Sequence, residues 1–319
     1  MKYKLLKKED MPLFVKLLLK NYKVIAPVKK DEICVFDEIK DYKEIASCLR
    51  PLYSFKKFLL PPIQDIFSYK DNKISINLKV KKQILFGIRS CDANALAFND
   101  HLFIEEYNDP YYKKIRQNTI VIVNNCIESG ENCYCRSLGT HIPINFDLSL
   151  KEEDSYFIVE IGSEIGEKLT SNKLFKNTNK GIVINLKNKK SLTKIELKRV
   201  FNSFNNPLWK EYGEKCLSCC ACINVCPTCN CFDIKDFPHL NRNSGSRERE
   251  WDYCMLSSFT QIAGGLIFRK EREKRLRHRV LHKFKYDYER YGTYSCVGCG
   301  RCVEVCIAGI DFFKIIKEM

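Results

Sequence analysis

"CLSCCACINVCPTCNC", residues 216–231, places seven cysteines in sixteen positions, and what they hold decides how the chain is built. Disulfides suit small secreted domains that cannot assemble a core of their own. This chain has 319 residues and is 45% hydrophobic, enough to bury a core without staples. Its amino terminus, "MKYKLLKKEDMPLFVKLLLKNYK", lacks the layout of a secretory signal, and Lys16 interrupts its apolar run. No stretch approaches the roughly eighteen apolar residues of a membrane span. The eighteen cysteines are therefore expected in a reducing cytoplasm, as metal ligands rather than bridges.

Spacing selects the metal. Cys216, Cys219, Cys222 and Cys226, followed by Pro227, form C-x2-C-x2-C-x3-C, and the pattern recurs at Cys296, Cys299, Cys302 and Cys306. Zinc sites usually take two cysteines from one knuckle and two from elsewhere. Three thiolates at x2 spacing instead wrap a cubane, and in two-cluster ferredoxins the fourth cysteine of each run ligates the other cluster. The expected sets are Cys216, Cys219, Cys222 and Cys306 for one [4Fe-4S] cluster, and Cys296, Cys299, Cys302 and Cys226 for the second. Cys220 stands where the second run has Gly300, and Ile307 stands where a proline is expected after Cys306.

Sixty-nine residues separate Cys226 from Cys296. The insertion, 232–294, contains "RKEREKRLRHRVLHKFK" (269–285), with nine Lys or Arg against two Glu. Leu276, Val280, Phe284 and Tyr288 recur at i+4, the signature of an amphipathic helix with one buried stripe. Its cations read either as a solvated face or as a docking surface for an acidic partner. The chain carries a formal charge of +15, yet no nucleic-acid recognition motif accompanies it. Each four-thiolate cluster also contributes about −2, which offsets part of the excess.

Residues 1–205 have a different texture. "DMPLFVKLLLK" reads as a helix with Asp10 available as cap and Pro12 in its first turn. "KVIAPV", "EICVFDEI", "KISINLKV", "QILFGI", "TIVIVN", "SYFIVEI" and "GIVINL" read as strands, with helical stretches near 92–103, 163–171 and 191–204. The alternation predicts an α/β domain with a mixed sheet, followed by a dicluster ferredoxin-like domain over 206–319 with the helical insertion. Cys91 and Cys126 fall just beyond two of these strands, where open α/β sheets gather ligands. Cys133 and Cys135 follow in "ENCYCRSLG". These four are candidates for a third [4Fe-4S] cluster, with Asp92 capping the next helix; the bland alternative makes them buried small hydrophobes. Cys229 and Cys231 read as packing beneath the first run, and Cys34 and Cys48 as ordinary buried thiols in a strand and a helical stretch.

No catalytic constellation is evident. The five histidines are scattered, and neither a G-x-G-x-x-G nor a P-loop is present. A chain that carries clusters without acid–base machinery reads as an electron relay whose active sites lie on partners.

The motifs "YKVIAPV", "RSCDANAL", "CIESGENCYCRSLGT", "NPLWKEYGEKCLSCCACINVCPTCNC", "REREWDYCM", "AGGLIFRKEREKRLRHRVLHK" and "YSCVGCGRCVEVC", spanning about residues 22 to 313, together resemble the A subunits of bacterial anaerobic sulfite reductases. The beta subunits of cytoplasmic sulfhydrogenases share the same plan. Cys220 and Ile307 depart from the family pattern of glycine and proline. The resemblance implies a non-catalytic electron-transfer subunit. It would carry single electrons from a flavin subunit that oxidises NADH to a siroheme subunit that reduces sulfite to sulfide. In the sulfhydrogenase alternative the terminal partner carries nickel and iron. Neither branch implies nucleic acid or membrane as a partner.

Overall fold

The computed structural model describes residues 2–71, 73–240 and 243–319. Its strands are, in chain order, β1 (Lys2–Lys7), β2 (Lys23–Lys30), β3 (Ile33–Ile39), β4 (Ile63–Lys70), β5 (Lys73–Ser75), β6 (Gln83–Ile88), β7 (Thr119–Asn124), β8 (Leu148–Glu152), β9 (Tyr156–Ile161), β10 (Phe175–Thr178), β11 (Phe232–Pro238) and β12 (Ser244–Trp251). Eight of them form a mixed sheet in the order β10-β1-β9-β8-β7-β6-β2-β3. The centre, β2, β6, β7 and β8, is parallel, and the flanking pairs are antiparallel.

The central strands are apolar on both faces because both faces are covered. Val24, Ile84, Ile120 and Ile122 point to one layer, which includes Phe14, Val15 and Leu18 of the helix Met11–Leu19. Ile25, Leu85, Val121 and Val123 point to the other, where Ala93 and Leu96 of the helix Ser90–Asp100 pack. Val297 and Cys299 belong to this second core, so the carboxy-terminal cysteine run is packed directly against the sheet layer. A third core surrounds the helix Arg272–Leu281 and the cysteine-rich loops.

A second sheet has the order β11-β12-β4-β5 and is antiparallel throughout. It joins strands from both sides of residue 205. The insertion therefore contains a hairpin as well as its helix.

Several sequence expectations are corrected. Of "KISINLKV" only Lys73–Ser75 is strand, and "GIVINL" is irregular despite its apolar residues. Asp10 makes no side-chain cap: it ends a 3-10 turn, Lys8–Asp10, that runs straight into the helix. Asp92 is no cap either; it lies inside its helix, behind the N-cap Arg89, and pairs with Arg301. Cys34 and Cys48 are joined as a disulfide rather than lying as separate thiols, and Cys48 is in irregular chain. The Ala46 amide donates to the Pro27 carbonyl and the Leu52 amide to the Cys34 carbonyl, each at 2.8 Å, which lays this loop along the β2–β3 edge. Finally, Leu276, Val280 and Phe284 are buried as expected, but Tyr288 is exposed. The helix widens to a π segment over His282–Tyr286, and the wider turn rotates the stripe off the core.

Candidate metal centres

The two cysteine runs adopt one backbone shape. Ser218 (φ 54°) and Cys220 (φ 62°) match Gly298 (φ 61°) and Gly300 (φ 75°), and each run then enters a single helical turn, Ala221–Asn224 or Arg301–Glu304. Left-handed φ favours glycine, yet only the second run uses it. The reason lies in what packs there. A Cβ on Gly298 would sit 2.7 Å from the Cys135 amide nitrogen, and one on Gly300 would sit 2.5 Å from the Asn132 carbonyl oxygen. The loop bearing Cys133 and Cys135 is pressed onto this run: the Tyr134 amide donates to the Gly298 carbonyl (2.9 Å) and the Thr140 hydroxyl to the Val297 carbonyl (2.7 Å). The Tyr134 hydroxyl lies 3.1 Å from Cys296 Sγ.

The structure brings together each of the cysteine sets named from the sequence. Cys216, Cys219, Cys222 and Cys306 line one cavity, walled by Leu276, Ile310 and Phe312. Cys226, Cys296, Cys299 and Cys302 line a second, with Tyr134 and Phe312. Cys91, Cys126, Cys133 and Cys135 line a third, at the ends of β6 and β7, with Arg50, Arg89 and Leu186. Cys302 also borders the first cavity and Cys299 the third. The three cavities therefore form a row with the second in the middle. Among the described residues, no three His, Cys, Asp or Glu side chains close tightly enough to hold a single metal ion.

The charge around these cavities fits anionic clusters. Burying an unpaired charge is costly, but Lys56, Arg275, Arg279 and Lys283 are all buried, and among the described residues none has a carboxylate within ion-pair distance. They face sulfur and carbonyls instead. Arg279 Nη1 donates to Cys229 Sγ (3.0 Å) and Nη2 to the Cys222 carbonyl (3.0 Å). Lys283 donates to Thr228 Oγ1 (2.8 Å), which is itself 3.4 Å from Cys226 Sγ. Burial opposes the charge of Lys283, but Cys226 and Cys229 outweigh it and hold its pKa above the ordinary value. Arg50, Arg89 and Arg279 each have a buried Nε without a partner among the described residues, and all three line the cavities. Such donors are suited to cluster sulfides. Burial pushes the Cys135 thiol up to about 12 and Cys91 well above its usual value; coordination to metal removes those protons outright.

Arg301 and Asp92 complete the charge pattern. Both are fully buried and paired through two bonds of 2.7 and 2.9 Å. They lock the helical turn after the second run to the helix that carries Cys91.

Three of the nine cations in the basic stretch are not on a solvated face. Arg275, Arg279 and Lys283 repeat at i+4 on a second buried stripe, directed at the cysteine loops. Spacing alone offered this signal, since three cations at i, i+4 and i+8 share one face.

Cys229, Cys231 and Cys254 form a separate group. They border a cavity of about 560 Å³ beside the second site, and Cys229 and Cys231 pack in the same core as Cys216 and Cys220. The neighbouring Cys231, with Arg279 and His282, holds the Cys254 thiol below its ordinary value.

Residues 215–310 match the 4Fe-4S dicluster domain family, which implies two [4Fe-4S] clusters. No solved structure matches the chain. Sulfhydrogenase 2 subunit beta of Pyrococcus furiosus is 32% identical over 333 residues, an alignment that covers all of this chain and 98% of that one. The chain belongs to the sulfhydrogenase beta subunit family. The match extends over the whole chain, well beyond the ferredoxin runs. It favours the sulfhydrogenase branch over the sulfite reductase resemblance that the motifs brought first. No helix among the described residues is long and apolar enough to cross a membrane.

Proposed function

We propose that this chain is the iron–sulfur relay of a sulfhydrogenase-type complex in the cytoplasm and holds three [4Fe-4S] clusters in a row. Cys216, Cys219, Cys222 and Cys306 hold the first, Cys226, Cys296, Cys299 and Cys302 the second, and Cys91, Cys126, Cys133 and Cys135 the third. The chemistry these groups supply when bound is transfer of one electron at a time. The observation that carries the reading is the shared walls: Cys299 borders the second and third cavities, and Cys302 the first and second.

The protein's own part is to hold, insulate and balance charge. Leu276, Ile310 and Phe312 keep water from the first site, while Arg279 and Lys283 offset negative charge at the first two. Cys219 is exposed, so the first site reaches the surface and is the natural place for a partner to exchange electrons. Catalysis in this reading belongs to other subunits: a flavin-bearing NADH-oxidising subunit at one end of the row and a nickel–iron subunit at the other.

Oxygen-free affinity purification of the chain from its own cells tests the assignment. Nickel without siroheme in the co-purifying complex is the expected result. A siroheme spectrum without nickel would move the protein to the sulfite reductase branch.

A further inference from the structure

None of the cysteines assigned to the clusters lines the cavity of about 560 Å³ beside the second site. Its size is that of a small-molecule pocket. One wall is aromatic, with Phe98, Phe103 and Tyr291; the other carries Cys229, Cys231 and Cys254 above the buried cations Arg279 and Lys283. Asp109 and Asp287 also face it, but Asp109 is paired with Arg249 and Asp287 with His282. Arg279 and Lys283, which have no carboxylate within ion-pair distance, put positive charge at its floor, and the Nε of Arg279 has no partner among the described residues.

The backbone sets two of the thiols against each other. β11 and β12 pair with Phe232 opposite Trp251, and the ladder continues through the Asp252 amide, which donates to the Cys231 carbonyl at 3.0 Å. Cys254 follows two residues later, and both cysteines line the same cavity. Two thiols on one wall of a small-molecule cavity, backed by cations, have the layout of a dithiol pair.

We propose that Cys231 and Cys254 form a thiol–disulfide exchange site that takes an anionic low-molecular-weight disulfide in this cavity. The Cys254 sulfur, as thiolate, attacks one sulfur of the bound disulfide; that S–S bond breaks and one thiolate leaves, taking up a proton. Cys231 then loses its proton and attacks the Cys254 sulfur in the mixed disulfide, releasing the second thiolate. The bound disulfide is reduced to two thiols and the cysteine pair is oxidised to a Cys231–Cys254 bridge. The reverse exchange with the small thiol restores the pair. The proposal rests on the reading that neither sulfur is a cluster ligand.

The test uses the full chain carrying its clusters, free of oxygen, equilibrated with mixtures of glutathione and glutathione disulfide, then alkylated and mapped by peptide mass spectrometry. As the disulfide fraction rises, residues 231 and 254 should lose alkylation together and appear as one linked peptide, with iron content unchanged. In Cys231→Ser the mixed disulfide cannot resolve, and a glutathione adduct should persist on Cys254. Full alkylation of both residues at every ratio would overturn the proposal, as would loss of iron in step with the thiols. Iron missing from the untreated chain would count against the relay reading and leave the exchange result standing.

Discussion

Arg301 and Asp92 are both 0% exposed, so neither charge can turn to water if the other is removed. Breaking a buried pair by deleting one partner typically costs about 3–5 kcal/mol. Asp92→Asn should therefore lower the unfolding free energy by about that amount in denaturant titration, far more than Glu131→Gln at the exposed ion pair with Lys189. The glycines of the second run make a sharper distinction. Gly298→Ala places a Cβ 2.7 Å from the Cys135 amide nitrogen, at a left-handed φ, and has to push away the loop that carries Cys133 and Cys135. Iron per chain should fall in that variant. Ser218, at the matching place in the first run, already tolerates a side chain, so Ser218→Gly should leave iron content unchanged.

At the scale of elements, the helix Arg272–Leu281 and its π extension deliver Arg279 and Lys283 to the cysteine loops. Removing a cation makes a nearby cluster harder to reduce. Lys283→Met should shift the potential of the second site negative by on the order of 100 mV or less, the Coulomb value for a unit charge several ångströms away at intermediate dielectric. Redox titration followed by electron paramagnetic resonance reads the shift, and Lys274→Met, on a half-exposed side chain, serves as the unchanged control. The same helix shows where sequence reading stops. Its apolar stripe was legible because Leu276, Val280 and Phe284 obey the helical period. The buried cations share one face by spacing, but that they face inward was not legible, because charge in a sequence defaults to solvent until the anionic neighbour is known. The strands tell a similar story. β6 and β7 were plain from their unbroken apolar residues, and with them the positions of Cys91 and Cys126. β11 and β12 were hidden: "FDIKDFP" and "SGSREREW" are too charged to read as strands, and their order comes from pairing with β4, distant in the chain.

For the whole molecule, the decisive feature is how the chain's two halves interlock. β4 pairs with β12, and Arg249 reaches from β12 to Asp109 and Gln64, each at 2.5 Å. Arg249→Ala leaves Asp109 Oδ2 without its ion pair, though Oδ1 still accepts from the Tyr111 and Tyr112 amides, and should increase hydrogen exchange in β4 and β12 together, while β6 and β7 stay protected. The cysteine runs were legible from spacing alone; the third set was legible only as two strand ends and a nearby loop, and the contact of that loop with Gly298 and Gly300 was not. That contact makes a three-site row out of a two-cluster module. Iron content of the anaerobically reconstituted full chain tests this claim most directly. About twelve iron atoms per chain are expected, falling to about eight in Cys91→Ser, because a [4Fe-4S] cluster needs its complete thiolate set. About eight in the wild-type chain, unchanged in Cys91→Ser, would contradict the account.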